Sequence, residues 1–298
     1  MNRHEGESML ARYSDAATAS SATVIAHYST SFGAAARLLD PDARRRIRSV
    51  YALVRIADEI VDGAAAEAGL SREQQQEVLD GLEAEAERAM ASGYSANLVV
   101  HAFAAVAREA GFGIELTRPF FASMRRDLDP APFTADEIGP YIHGSAEVVG
   151  LMCLAVFLAG EPARPDDDAR RARLERGAIH LGAAFQKINF LRDLAVDWRT
   201  LGRNYFPAVD PDAFTEADKA AILDDIERDL EIARRSLPDL PRRARAAVSA
   251  AHGLFASLTA RCRATPASEI IATRIRVPDG EKLAIAVRSA LGTGGGRR

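Results

Sequence analysis

Cysteine is nearly absent. Cys153 and Cys262 are the only two in 298 residues; they sit in different surroundings without CxxC spacing, which argues against a disulfide framework or a cysteine zinc site and fits a reducing cytosol. A basic stripe is also lacking: 38 basic and 42 acidic residues are mixed along the chain, for a net charge of −4, so nucleic acid is not an expected partner. No charged-then-apolar leader opens the chain; residues 1–22 are polar and rich in Ser, Ala and Thr, and read as a loose arm. The longest apolar run, Val148 to Gly160, falls short of the ~20 residues that a bilayer-spanning helix needs. No window alternates apolar and polar residues between hairpin turns, and neither a fixed-period repeat nor a low-complexity linker is present.

What the chain does have is apolar material, 48% of it against 27% charged, enough for a sizeable core. Helical periodicity runs from about Thr23 onward, which makes the chain all-α. Breaks at Asp40-Pro41, Gly63, Gly111 to Gly113, Asp129 to Pro132, Gly160 to Pro165, Gly202 to Pro211, Pro238 to Pro241 and Pro278 to Gly280 separate about eight or nine helices. They read as one domain over residues 23–291, followed by a Gly-rich, charged tail, 292–298, expected to be disordered.

Two helices carry chemistry. Asp40 can cap a helix whose first turn holds Pro41, and the helix plausibly runs to Asp62, with Gly63 able to close it in the left-handed conformation. At 100° per residue, Ile47, Tyr51, Asp58 and Asp62 share a narrow arc, with Arg55 beside it. Two carboxylates one turn apart therefore continue an apolar stripe, a costly arrangement unless a cation compensates, and magnesium, with its hard oxygen ligands, would do so. The plainer alternative is a solvated helix end in which Asp58, Glu59 and Asp62 pair with Arg55.

The second helix reads GAAFQKINFLRDLAVDW from Gly182 to Trp198. Gln186, Asn189, Asp193 and Asp197 lie within about an 80° arc, and Phe185, Ile188, Phe190, Leu191 and Leu194 occupy the rest of the circumference. A helix apolar on most sides is buried, so its polar stripe should face an internal cavity. Its amides and carboxylates offer oxygen ligands over roughly 16 Å of axis, a length that suits a metal–diphosphate cluster. A surface stripe flanked by Lys187 and Arg192 is the alternative.

At this point the residues resemble the squalene/phytoene synthase family, which joins two prenyl diphosphates head to head. DEIVD at Asp58 to Asp62, after YALVR at Tyr51 to Arg55, is similar to the family's first aspartate motif. NFLRDLAVD at Asn189 to Asp197, before GRNYFP at Gly202 to Pro207, is similar to its second. YIHGSAEVVGLM at Tyr141 to Met152 resembles the segment lining the active-site cavity, Ser29 to Phe32 (SxSF) the N-terminal substrate-binding stretch, and TRIRVPDGEKL at Thr273 to Leu283 the C-terminal pattern of phytoene synthases. Phe255 departs from the pattern, falling where many relatives carry a tyrosine whose hydroxyl serves a diphosphate. Glu59 replaces the second aspartate of the commoner DDxxD form, as phytoene synthases often show.

The resemblance implies an isoprenoid-synthase helical bundle around a central cavity. It implies catalytic aspartates at Asp58, Asp62, Asp193 and Asp197, and Mg2+, with Mn2+ as a substitute, held by Asp58, Asp62, Asn189, Asp193 and Asp197. Substrate contacts would come from Ser29, Ser31, Tyr51, Arg55, Tyr141, Gln186, Arg192, Arg203, Tyr205, Arg274 and Lys282, with Phe32, Tyr51, Tyr141 and Phe185 as candidates to face a carbocation. The expected activity is condensation of two geranylgeranyl diphosphates to phytoene, without NADPH. A farnesyl-using relative making squalene, dehydrosqualene or presqualene diphosphate is the nearest rival, and a non-catalytic scaffold is the reading from a different class. A cytoplasmic enzyme touching the inner face of the membrane transiently is expected by analogy. His27, His143 and His180 are assigned no role, and Cys153 is read as an inert buried thiol.

Overall fold

The second helix of the chain shows how local sequence sets the architecture. Asp40 accepts hydrogen bonds from the backbone N–H groups of Asp42 and Ala43, Pro41 occupies the first turn, and the helix runs Pro41–Asp62. Its apolar residues fall on one side, burying Ile47, Val50, Leu53, Ala57 and Ile60. Gly63 ends it at φ −138°, not in the left-handed region expected. The reason is the Glu59 carboxylate, which folds back to accept from the Ala64 N–H at 3.1 Å and occupies the space a Cβ at Gly63 would need.

The computed structural model describes residues 8–28, 35–162, 166–198, 202–290 and 292. Among these residues all regular structure is helical, in the order α1 Met9–Tyr28, α2 Pro41–Asp62, α3 Arg72–Ser92, α4 Leu98–Ala110, α5 Ile114–Leu128, α6 Ala135–Ile142, α7 Val148–Leu158, α8 Asp167–Val196, α9 Glu216–Ser236, α10 Arg242–Ala264 and α11 Asp279–Ala290. This exceeds the eight or nine helices read from the breaks. The boundaries missed are side-chain caps rather than Gly-Pro clusters: Ser71 forms a capping box with Gln74 ahead of α3, and Asn97 caps α4.

The polar N-terminal stretch is also not a loose arm from Met9 on. α1 packs against α2 and α4, burying Ala17, Ser21 and Ile25, and the Tyr13 hydroxyl donates to the carbonyls of Ser95 and Ala96, 3.0 Å each. The buried residues are spaced i, i+4, i+8, one helix face, and two of the three are small enough to escape notice as apolar. The tail 293–298 lies outside the described residues.

α2 packs against α1, α3, α4, α5 and α7, while α8 packs against α7, α9 and α10. One apolar cluster gathers around α2, α4, α5 and α7, a second around α8, α9 and α10. Between them α6 continues into α7 through a π-helical turn, His143–Glu147. The fused run Ala135–Leu158 spans 24 residues, longer than the Val148 to Gly160 segment read from sequence, and is long and apolar enough by length alone to cross a membrane; half of its most apolar window is buried within the bundle. It forms the seam between α2 and α8.

Candidate active site

α2 and α8 are each divided along their length. In their N-terminal parts they line an apolar channel together with the 35–39 segment, α7, α9 and α10: Ile47 comes from α2, Val149, Gly150 and Cys153 from α7, Leu174, Gly177, Leu181 and Phe185 from α8, and Val248, Ala251 and Phe255 from α10. The empty space between these walls, open solvent at its edge included, is about 1060 Å³. Its walls are almost entirely carbon, so water inside would find few partners. Burial pushes the Cys153 thiol up to about 12, leaving it protonated and inert, as read from the sequence.

The channel exists because glycines let the walls meet closely. A Cβ on Gly150 would lie 2.7 Å from the Ala178 carbonyl oxygen, and one on Gly182 would lie 2.7 Å from that of Ala146. Helix α7 and the π turn therefore press directly on the α8 backbone. The segment singled out as cavity-lining, Tyr141 to Met152, contributes Ala146, Val149 and Gly150 to the wall.

Toward their C-terminal ends the same two helices carry carboxylates. From Ile47 to Asp62 is about 22 Å of helix axis, and from Leu174 to Asp197 about 34 Å, at ~1.5 Å per residue. On α2, Arg55 pairs with Asp58 at 2.6 Å and also with Glu59, while its guanidinium lies 4.5 Å from the Tyr28 ring centre. On α8, Arg192 reaches Asp193 at 2.5 Å, and Arg274 reaches the same carboxylate at 2.9 Å from the loop ahead of α11.

The two rows meet through Arg203. Its guanidinium pairs with Asp62 at 2.7 Å, donates to the Asp127 carbonyl at 2.5 Å, and its backbone N–H bonds the Asp197 carbonyl at 3.0 Å. The Asp197 carboxyl is pushed up to about 7, first by burial, then by repulsion from Asp193, with Asp62 of the other row also raising it and Arg203 opposing. Burial, with repulsion from Asp62 and Glu59, likewise raises Asp58 against the pull of Arg55. Repulsion between Asp62 and Asp197 places the two rows within electrostatic reach of one another.

Gln186 and Asn189 lie half-buried on α8 on the same stripe as Asp193, with no hydrogen-bond partner among the described residues. Tyr51 sits half-buried on α2 near Arg55. Tyr141 and Tyr205, expected to touch substrate, are instead 5% and 7% exposed, packed in an aromatic cluster with Phe133 and Phe190. The Tyr141 hydroxyl donates to the Asp127 carboxylate at 2.7 Å, so these rings form a floor beneath the aspartates rather than a substrate contact. Lys282 pairs with Asp279 of its own helix at 2.9 Å and not with the aspartate rows. Ser29, Ser31 and Phe32 lie outside the described residues. Phe255 faces the channel, its ring centre 4.6 Å from that of Phe185.

Asp127 was not singled out in the sequence. It is 5% exposed and pushed up to about 8, by burial first and then by Asp62. The signal was present: Phe120, Met124 and Asp127 fall at i, i+4, i+7, so a carboxylate interrupts a buried stripe just as Asp58 does on α2.

Among the described residues no three acidic, histidine or cysteine side chains converge tightly enough to enclose an ion unaided. The donors form two facing walls made only of oxygen ligands. That fits magnesium, which takes one or two carboxylates and completes its octahedron from phosphate oxygens and water, better than it fits a metal caged wholly by protein.

An all-helical bundle in which the two helices walling a carbon-lined channel also carry acidic rows defines the isoprenoid-synthase class of fold. Superposition on a solved dehydrosqualene synthase, in complex with a ligand, has a TM-score of 0.77 over 95% of this chain and 99% of that one, at 20% identity. A squalene synthase from Alicyclobacillus acidocaldarius gives 0.71 over 84% and 94%, at 19%. In sequence, the Squalene/phytoene synthase family profile matches residues 25–281. The 15-cis-phytoene synthase of a Paracoccus species is 30% identical over 82% of this chain and 81% of its own. The phytoene synthase of Arthrospira platensis is 33% identical over 65% of this chain, and the match spans 63% of that protein's length. The chain belongs to the squalene/phytoene synthase family, a family of prenyltransferases.

Proposed function

We propose that this chain joins two geranylgeranyl diphosphates head to head, through a cyclopropylcarbinyl diphosphate, to phytoene. The observation that carries the reading is the pairing of two environments on one helix pair: carboxylates and arginines toward the C-terminal ends of α2 and α8, and a channel walled by carbon along their earlier turns. A prenyl diphosphate has the same two parts, a dense anion joined to a long hydrocarbon. The names of the relatives at 30% and 33% identity support phytoene as the product.

Each group has a physical task. Arg55, Arg192, Arg203 and Arg274 surround the aspartates and would donate to the departing diphosphate as its charge builds. Magnesium, held by Asp58, Asp62, Asn189, Asp193 and Asp197, would supply Lewis-acid stabilisation of that same charge. On departure of the diphosphate the bond to the allylic carbon breaks with its electron pair leaving on oxygen, and the carbocation left behind must be kept from water. The channel provides that exclusion, and the faces of Phe185 and Phe255 can each add ~0.5 to 2 kcal/mol if the cation passes over them. The double bond of the second prenyl chain then captures the cation, a proton leaves as the cyclopropane closes, and the product forms by loss of the second diphosphate, rearrangement and loss of a second proton.

Purified protein given geranylgeranyl diphosphate and magnesium, without NADPH, is expected to yield phytoene in an organic extract. Product from farnesyl diphosphate alone would replace phytoene by the shorter-chain reading. No product from either, with both substrates bound, would leave the chain a non-catalytic scaffold.

A further inference from the structure

α1 is fastened along its whole length. Near its start the Tyr13 hydroxyl donates to the carbonyls of Ser95 and Ala96, just ahead of α4, the His101 ring packs steeply against Tyr13 with centres 4.9 Å apart, and the Ser14 hydroxyl lies 3.0 Å from His101 Nε2. Ala17, Ser21 and Ile25 then bury one face of the helix. At 100° per residue Tyr28 belongs to that same face, about 20° from Ala17 and about 60° from Ile25. Yet Tyr28 is 49% exposed. Where the docking face of α1 runs past the core it meets Arg55 of α2, whose guanidinium lies over the Tyr28 ring, 4.5 Å from its centre.

Arg55 is held on three sides. One terminal nitrogen pairs with Asp58 at 2.6 Å and the other with Glu59, so the N–H groups point at carboxylates and the ring takes the cation by its charge. Nε is buried with no hydrogen-bond partner among the described residues, and an arginine left to itself would swing to satisfy it, with many rotamers to choose from. The two carboxylates are not equivalent. Glu59 is tied down, its second oxygen accepting from the Ala64 N–H at 3.1 Å, whereas Asp58 belongs to the row facing α8. The Glu59 side of the guanidinium is therefore the fixed edge, and the Asp58 side is the edge at which one acceptor can replace another. A ring over the guanidinium restrains its swing and uses up none of its donors.

We propose that Tyr28 is a positioning residue for diphosphate binding: its ring and Glu59 clamp Arg55, and the nitrogen now on Asp58 passes to a phosphate oxygen while the guanidinium stays on the ring. Only hydrogen bonds are exchanged, and Asp58 is released toward a cation in the same movement. α1 is the strap that delivers this ring to the first aspartate helix. The inference rests on the aspartate rows being a diphosphate site, and not on which prenyl chain the diphosphate carries.

The test is a double-mutant cycle at Tyr28 and Arg55 in the full chain, read by calorimetric titration of inorganic diphosphate in excess magnesium, with far-ultraviolet circular dichroism to confirm folding. Tyr28→Leu should weaken binding about fivefold, the size of a partly exposed cation–π contact. Tyr28→Phe, which keeps the ring and drops the hydroxyl, should stay within about twofold of wild type. In an Arg55→Gln background Tyr28→Leu should change nothing further, because the ring acts only through the guanidinium. Full binding by Tyr28→Leu overturns the proposal, as does an undiminished loss in the Arg55→Gln background. A Tyr28→Phe variant as weak as Tyr28→Leu also overturns it, by showing that the hydroxyl itself meets the ligand. Wild type that binds no diphosphate removes the diphosphate site and this inference with it, whereas ring-dependent binding without phytoene formation upholds the inference and removes only the proposed product.

Discussion

Replacing Asp127 by Asn should change how stability depends on pH. The carboxyl ordinarily titrates at 3.8 and here is pushed up to about 8, because it is buried and faces Asp62 and Asp58 with only Arg203 and the Tyr141 hydroxyl to offset them. Between about pH 4 and about pH 8 the folded chain therefore holds a proton that the unfolded chain has released, so this group's stabilising contribution is complete at low pH and is lost as pH rises. A displacement of about four units at 1.36 kcal/mol each puts the loss at roughly 5 kcal/mol across that window. Asn has the same shape and an oxygen that can accept from Tyr141, and it never ionises. Urea unfolding of metal-free wild type and variant, from about pH 5 to about pH 9, should show a variant more stable by only about 1 to 2 kcal/mol at the acid end and by roughly 5 kcal/mol at the alkaline end. Parallel curves would refute the reasoning, showing that Asp127 is ionised throughout and that Arg203 compensates it fully.

Asp58→Ala and Asp193→Ala should each lower turnover by about a hundredfold or more with unchanged far-ultraviolet circular dichroism, since both carboxylates are partly exposed and not in the core; near-normal turnover would remove them from the chemistry. With Asp197 pushed up to about 7, protons should compete with a divalent ion below that pH, so the half-saturating magnesium concentration should rise as pH falls, by up to about tenfold per unit. A flat magnesium requirement between about pH 6 and about pH 8 would show Asp197 is not a ligand. Gly150→Ala places a methyl 2.7 Å from the Ala178 carbonyl and should destabilise by about 1 to 3 kcal/mol, read as a lower Tm by calorimetry; an unchanged Tm would mean α7 and α8 can slide apart freely.

Long helices with strong caps were legible. α2 was read to its last residue because Asp40, Pro41 and the Asp62-Gly63 end are local signals, and the positions of Asp58 and Asp62 on it follow from periodicity. The extent of α8 follows from the breaks at Gly160 to Pro165 and Gly202 to Pro211, but a functional face was legible only from Gly182 on, since its first half, beginning at Asp167, is charged on the outside and its channel face is built from small residues such as Gly177 and Ala178. What could not be read was partnership across the fold. Arg203 was assigned to substrate, yet its contacts are Asp62 and the Asp127 carbonyl, residues 141 and 76 positions away in the chain. The burial of Tyr141 was hidden for the same reason, since a tyrosine's pattern on its own helix is the same whether its ring faces a cavity or a neighbouring helix, and Tyr205 sits in a loop whose sequence carries no periodicity to place its ring.

Arg203 also explains how four aspartates can share a mouth before any diphosphate arrives. Like charges drawn together in a low-dielectric pocket would otherwise either take up protons or push the helices apart. Here Asp58 has Arg55, Asp193 has Arg192 and Arg274, and Asp62 has Arg203, which leaves Asp197 as the member without an arginine pairing of its own among the described residues and the one whose carboxyl is pushed to about 7. The arginines that hold the rows in place are the groups a diphosphate would draw upon, and each one that turns toward phosphate releases a carboxylate. Anion binding and the freeing of oxygen ligands for a cation are therefore coupled by the same side chains. Each ligand should tighten the other by the same factor, because linkage between two binding events is reciprocal.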